Sequence, residues 1–188
     1  LRQAGIVLKM FAYDNRGMFP PLSPKSGCLM WDAKTVFPEY FADTTILNCP
    51  SDPDLPEMPS DPETLIDDQS YLYFGYLLTN DTEVQAFADA YRQCLAEGRD
   101  LTQDLKVPMG SGTNGGDIIY RLQEGYERLP MAESEIPVMM DRADHHLPGS
   151  RNVLYMDGHV EFIRYPGKWP MTEETVRTLE SLAELPNP

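Results

Sequence analysis

The run from Asn152 to Tyr165 constrains the fold more than any other part of the chain. Val153, Leu154, Tyr155 and Met156 lead into Asp157-Gly158, and Val160, Phe162 and Ile163 follow. Two apolar-rich segments about an Asp-Gly pair predict a β-hairpin closed by a two-residue type I′ turn. Side chains alternate faces along a strand, so Val153 and Tyr155 point one way and Leu154 and Met156 the other. On the returning strand Val160 and Phe162 oppose Glu161 and Ile163. One face of the hairpin is fully apolar and the other partly so. A hairpin of this kind is not stable alone, and its apolar face must be covered.

The N-terminal segment offers a cover. Leu1, Ala4, Leu8 and Phe11 recur at three-four spacing, Val7 and Met10 widen the stripe, and the segment Leu1–Tyr13 reads as a helix. Asn15-Arg16-Gly17 stops it and Pro20-Pro21 prevents a restart. No capping residue precedes Leu1, which reads as a helix continued from upstream. Asn80–Glu97 is the clearest complete helix. Asn80 and Glu83 form a capping-box-like start, Val84, Phe87, Ala88, Tyr91 and Leu95 an apolar face, and Gly98 the stop. Thr172–Leu185 closes the chain as an amphipathic helix with Val176, Leu179 and Leu182 inward. Ser70–Thr79, rich in Tyr, Phe and Leu, predicts a central strand. Ile136–Asp141 predicts a second strand, 117–129 a short helix, and a short helix is expected around Ala33–Tyr40.

These elements predict an α+β fold in one domain, 1–188, with the helix at 1–16 packed on an antiparallel sheet and short helices inserted. Its C-terminal module, 136–165, is a strand followed by the hairpin. Seventeen Pro and thirteen Gly favour a loop-rich chain over a bundle of long helices. The segment 51–68, acidic and Pro-rich, reads as a surface loop. The formal net charge of −15 repels a phosphate backbone, so nucleic acid is excluded as a partner. The same surplus of carboxylates suits Ca²⁺, which takes oxygen ligands, or simply keeps the chain soluble.

Few residues carry a chemical signature. Gly110, Gly112, Gly115 and Gly116 lack the Lys-Ser/Thr of a phosphate-binding loop. No Gly-x-Ser-x-Gly elbow occurs, and no local pattern marks a cysteine as an activated thiol. Cys28 and Cys49 are spaced to close a loop of about 20 residues by a disulfide in an oxidising compartment. Cys94 falls on the apolar side of its helix. All three histidines, His145, His146 and His159, lie close in sequence among Asp141, Asp144 and Asp157. His146, Asp157 and His159 form a candidate metal set, since imidazole and carboxylate together bind divalent cations. The competing reading is structural, because Asp is favoured at a turn for backbone reasons alone.

The C-terminal run His146, Gly149, Asn152-Val153-Leu154-Tyr155, Asp157-Gly158-His159-Val160 resembles the H-x9-DG domain that closes many prepilin-type, pilin-like proteins of bacteria. It departs from that pattern by one residue, since ten rather than nine separate His146 from Asp157. Ala12-Tyr13-Asp14-Asn15 with Phe19-Pro20-Pro21 is similar to the exit of a pilin helix. Asn48-Cys49-Pro50-Ser51-Asp52 resembles a mid-chain segment of the same proteins. The resemblance implies a pseudopilin-like subunit of type II secretion or surface assembly, periplasmic or at the cell surface. It implies an apolar helix upstream of Leu1 anchoring the protein in the inner membrane. Its implied partners are other pilin-like subunits or secretion machinery, with no catalytic residue and no cofactor beyond a bound Ca²⁺ or other divalent cation. Two alternatives stand beside it. One is an extracytoplasmic ligand- or cation-binding module, which exposed aromatics near Tyr71–Tyr76 would favour. The other is a metal-dependent hydrolase using His146, Asp157 and His159.

Overall fold

The computed structural model describes residues 1–49, 66–67, 70–125, 131–142 and 149–186. The fold is α+β, with a four-stranded antiparallel sheet in the order β1-β4-β5-β6. These strands are β1 (Tyr71–Tyr73), β4 (Pro137–Asp141), β5 (Ser150–Tyr155) and β6 (Val160–Arg164). A separate two-stranded ribbon pairs β2 (Leu105–Lys106) with β3 (Ile118–Ile119). The helices are α1 (Arg2–Asp14), the single turn α2 (Ala33–Val36), α3 (Asp81–Ala96) and α4 (Glu173–Ala183).

The hairpin forms where the sequence puts it, with Leu154 opposite Val160 and Asn152 opposite Phe162. Its turn differs from expectation. Tyr155 N–H donates to the His159 carbonyl and Gly158 N–H to the Tyr155 carbonyl, which leaves Met156-Asp157-Gly158 as a three-residue loop. Only Gly158 has positive φ, at 92°. This is a type I turn followed by a left-handed glycine, the next most favoured hairpin closure after the primed two-residue turns. Asp157 keeps an ordinary φ because its side chain, rather than its backbone, does the turn's work (below).

Val153, Leu154, Tyr155 and Met156 are all buried, so β5 is covered on both faces. α1 covers the Leu154 face. Gly5 sits so close that a Cβ there would lie 3.1 Å from Leu154 Cδ1. The α1 residues Ala4, Val7, Leu8, Phe11 and Ala12 are buried with it. Arg151 points to the opposite face, where its Nη2 donates to Glu180 Oε1 of α4 at 2.6 Å. α3 packs against α4, joined by Arg92 Nη2 to Ser181 Oγ at 3.0 Å, and its Phe87 ring lies 5.4 Å from that of Tyr76. α1 and α4 therefore cover opposite faces of the sheet.

α3 begins as its sequence predicts. Asn80 Oδ1 accepts from Glu83 N–H at 3.0 Å. The Glu83 carboxylate reaches past the cap to the Thr79 N–H and hydroxyl, at 2.7 and 2.8 Å. α4 is capped by Thr172, whose hydroxyl accepts from Thr175 N–H. Asp81, in the first turn of α3, accepts from the hydroxyls of both Thr172 and Thr175, the latter at 2.6 Å. One carboxylate thus ties two helix starts together, where negative charge is favoured in both.

Three expectations are corrected. The segment 70–79 does not form a central strand: β1 spans only Tyr71–Tyr73 and lies at the sheet edge. Gly75, at φ +68°, turns the chain out of the sheet, and Tyr76 pairs instead with Arg121. The described part of 117–129 is extended rather than helical. Leu77 N–H donates to Tyr120 O, Leu122 N–H to Gly75 O and Phe19 N–H to Leu122 O. Long-range pairing by these β-branched and aromatic residues outweighs their weak helical pattern. Thirdly, Cys28, Cys49 and Cys94 are all buried and no disulfide joins them. Met10 also leaves the inward stripe of α1 and faces solvent.

Candidate functional site

α1 carries two apolar stripes. The inner one is buried on the sheet; the outer one is Ile6, Met10 and Tyr13, which are 61%, 49% and 88% exposed. These three recur at four and three residues and so share one side of the helix. A groove of about 540 Å³ runs between this side of α1 and the hairpin tip, lined also by Gly5, Lys9, Asp157 and Gly158. Lys9 is held across the helix by Glu124, with Glu133 at 3.9 Å. On the same face of the sheet, the edge strand β6 leaves Phe162 52% exposed. Large apolar side chains contiguous on a surface mark an interaction site more often than a catalytic one.

The hairpin tip brings two of the three candidate metal residues together. Asp157 Oδ1 accepts from the His159 N–H at 3.0 Å and lies 2.6 Å from His159 Nδ1. Partial burial opposes ionisation of Asp157, but these two hydrogen bonds, with His159 and Lys9 as nearby positive groups, hold its carboxyl below the usual value. The His159 ring stacks flat on Tyr155, with centroids 4.5 Å apart and planes 3° from parallel. Burial, with Glu161 beside it, pushes the Tyr155 phenol up to about 12. The arrangement closes the turn. One carboxylate oxygen already serves two donors and one imidazole nitrogen is already engaged.

His145, His146 and Asp144 lie outside the described residues, as do 51–65 of the acidic loop. Among the described residues no three His, Cys, Asp or Glu side chains group as metal ligands do. The rings of Tyr71, Tyr73, Phe74 and Tyr76 are buried, so they offer no aromatic platform to a ligand. Tyr73 and Tyr76 donate instead to backbone carbonyls of Pro20, Leu101 and Gln103.

Sequence reasoning missed a buried polar cluster under the sheet. Asp141 Oδ2 accepts from both the backbone N–H and the side-chain amide of Asn152, each at 2.8 Å. Arg151 next to it is buried and spans from the Asp141 carbonyl to Glu180. The signal in the sequence is Arg151-Asn152 directly before the apolar run Val153–Met156, inside the same strand. The cluster's hydrogen bonds join β4, β5 and α4 and so fix the register between them.

No family model, no curated protein and no solved structure matches this chain. Among the described residues no helix is long and apolar enough to cross a membrane.

Proposed function

We propose that this chain is the head domain of a membrane-anchored, pilin-like or pseudopilin-like protein, acting in secretion or surface assembly outside the cytoplasm. It works through its surfaces, without chemistry of its own, and its partners are other pilin-like subunits or secretion machinery. The observation that carries this reading is the double use of α1. One stripe is consumed by the sheet, and the second, Ile6-Met10-Tyr13, is left to solvent on a groove. A helix needs only the first stripe to fold; the second has a use only if something packs on it. The hairpin with its Asp157-His159 closure, and the C-terminal resemblance it belongs to, support the same reading.

The test is fractionation of cells expressing the whole natural gene. The protein is expected in the inner-membrane fraction, with this domain open to protease from the periplasmic side. The sequence upstream of Leu1 is expected to hold an apolar stretch of about 20 residues. A product found wholly in the cytosol, with no such stretch, would overturn the assignment.

A further inference from the structure

The exposed residues of α1 are Arg2, Gln3, Ile6, Met10, Tyr13 and Asp14. Their positions are symmetric about residue 8. If a second α1 lies antiparallel in that register, Arg2 faces Asp14 of the other copy, Gln3 faces Tyr13, and Ile6 faces Met10. Each pairing is chemically complementary: cation with carboxylate, amide with phenol, apolar with apolar. The two-fold operation then repeats all three, as a self-complementary interface must.

A second feature points the same way. Asp14 stands in the last turn of α1, which has no basic residue. A carboxylate there opposes the helix dipole and so costs the helix some stability. In the antiparallel register it sits beside the N-terminal half of the other α1 and its Arg2, where negative charge is favoured. Neither Arg2 nor Asp14 has an ion pair or hydrogen bond within the described chain that would otherwise account for it.

We propose that the head domain forms a two-fold dimer with a second copy of itself, through antiparallel packing of the Ile6-Met10-Tyr13 stripes, with Arg2 and Asp14 fixing the register. This goes beyond the membrane-anchor reading and does not depend on it. Antiparallel pairing sends the two chain starts in opposite directions. The dimer therefore competes with parallel packing of membrane-anchored copies for the same stripe. A helix of 13 residues contributes a short contact, at the lower end of the roughly 1,000 Å² expected of a specific interface. Dissociation constants are expected in the micromolar range or weaker.

Sedimentation equilibrium of the 188-residue chain, at concentrations up to about 0.5 mM, tests this. The native sequence is expected to show a monomer–dimer equilibrium, and Met10→Glu to be monomeric throughout. Arg2→Glu and Asp14→Arg, each alone, are expected to weaken the dimer at least tenfold. The double reversal, Arg2→Glu with Asp14→Arg, is expected to restore it to within a few-fold of the native value. All three positions are exposed, and circular dichroism of each variant checks that the fold is kept. A native chain that stays monomeric, a dimer that survives Met10→Glu, or a double reversal no tighter than the single changes would each overturn the proposal. None of these outcomes bears on membrane fractionation, so the two readings fail separately.

Discussion

Asp157 shows how one carboxylate can close a turn. Its Oδ1 receives the backbone N–H of His159 and faces the imidazole of the same residue, which locks the loop that Gly158 makes possible. The folded chain holds this carboxyl below its usual value. The unfolded chain, with a pKa of about 3.9, therefore binds the proton more readily. The stabilisation is fully present above that value and is lost as the pH falls through the folded value. Asp157→Asn is thus expected to lower the urea midpoint at pH 6 and to make no difference near pH 2. An equal loss at both would show that the carboxylate charge is irrelevant. Gly75 is a second position where one atom decides the outcome. At φ +68° an added Cβ would lie 2.6 Å from Leu22 Cγ, a buried side chain. The left-handed backbone and the clash together predict a loss of roughly 2–4 kcal/mol for Gly75→Ala, read by denaturant unfolding. A change below 1 kcal/mol would mean that Leu22 moves freely aside.

At the scale of elements, local signals are legible in the sequence and long-range ones are not. α3 and α4 carry three-four spacing and N-caps, and α1 the spacing with a C-terminal stop, so they are legible from the chain alone. The hairpin is legible for the same reason, though its turn type was not. Asp-Gly suits both the two-residue and the three-residue closure, and the choice was made by the His159 N–H bonding to Asp157. The segment 118–123 is extended rather than helical because its partners are Met18, Phe19, Gly75, Tyr76 and Leu77, far away in sequence. The same limit hid Asp81. It reads as an ordinary first-turn acid of α3, yet it serves the hydroxyls of Thr172 and Thr175, about ninety residues on. Thr175 is fully buried, so removing its acceptor leaves a hydroxyl unsatisfied. Asp81→Ala is expected to cost about 2–4 kcal/mol and Thr82→Ala, one residue on and exposed, within about 0.5 kcal/mol. Equal effects would reduce the Asp81 contacts to surface decoration.

The whole molecule is organised around a sheet too narrow to be stable with either face bare. β5 has buried side chains on both sides, and the two covers differ in kind. α4 is fastened from one side by polar contacts, Arg151 to Glu180 and Asp81 to Thr172 and Thr175, and packs against α3. α1 relies mainly on apolar contact, Ala4, Val7, Leu8, Phe11 and Ala12 against the Leu154 face, with Lys9 and its acidic partners Glu124 and Glu133 at the rim. This apolar cover carries a large share of the buried area on its side of the sheet. Leaving Leu8 and Phe11 without their seats would remove roughly 2–5 kcal/mol each by analogy with core truncations, comparable with the whole stability of a domain of this kind. Removal of residues 1–14 is therefore expected to abolish cooperative unfolding and near-ultraviolet dichroism while leaving much of the far-ultraviolet signal, the pattern of a collapsed chain without fixed packing. A truncated protein that still unfolds in one sharp transition would make α1 an appendage. In that case its outer stripe would be free to leave the domain altogether, and neither anchoring nor pairing through α1 could be argued from its position on the sheet.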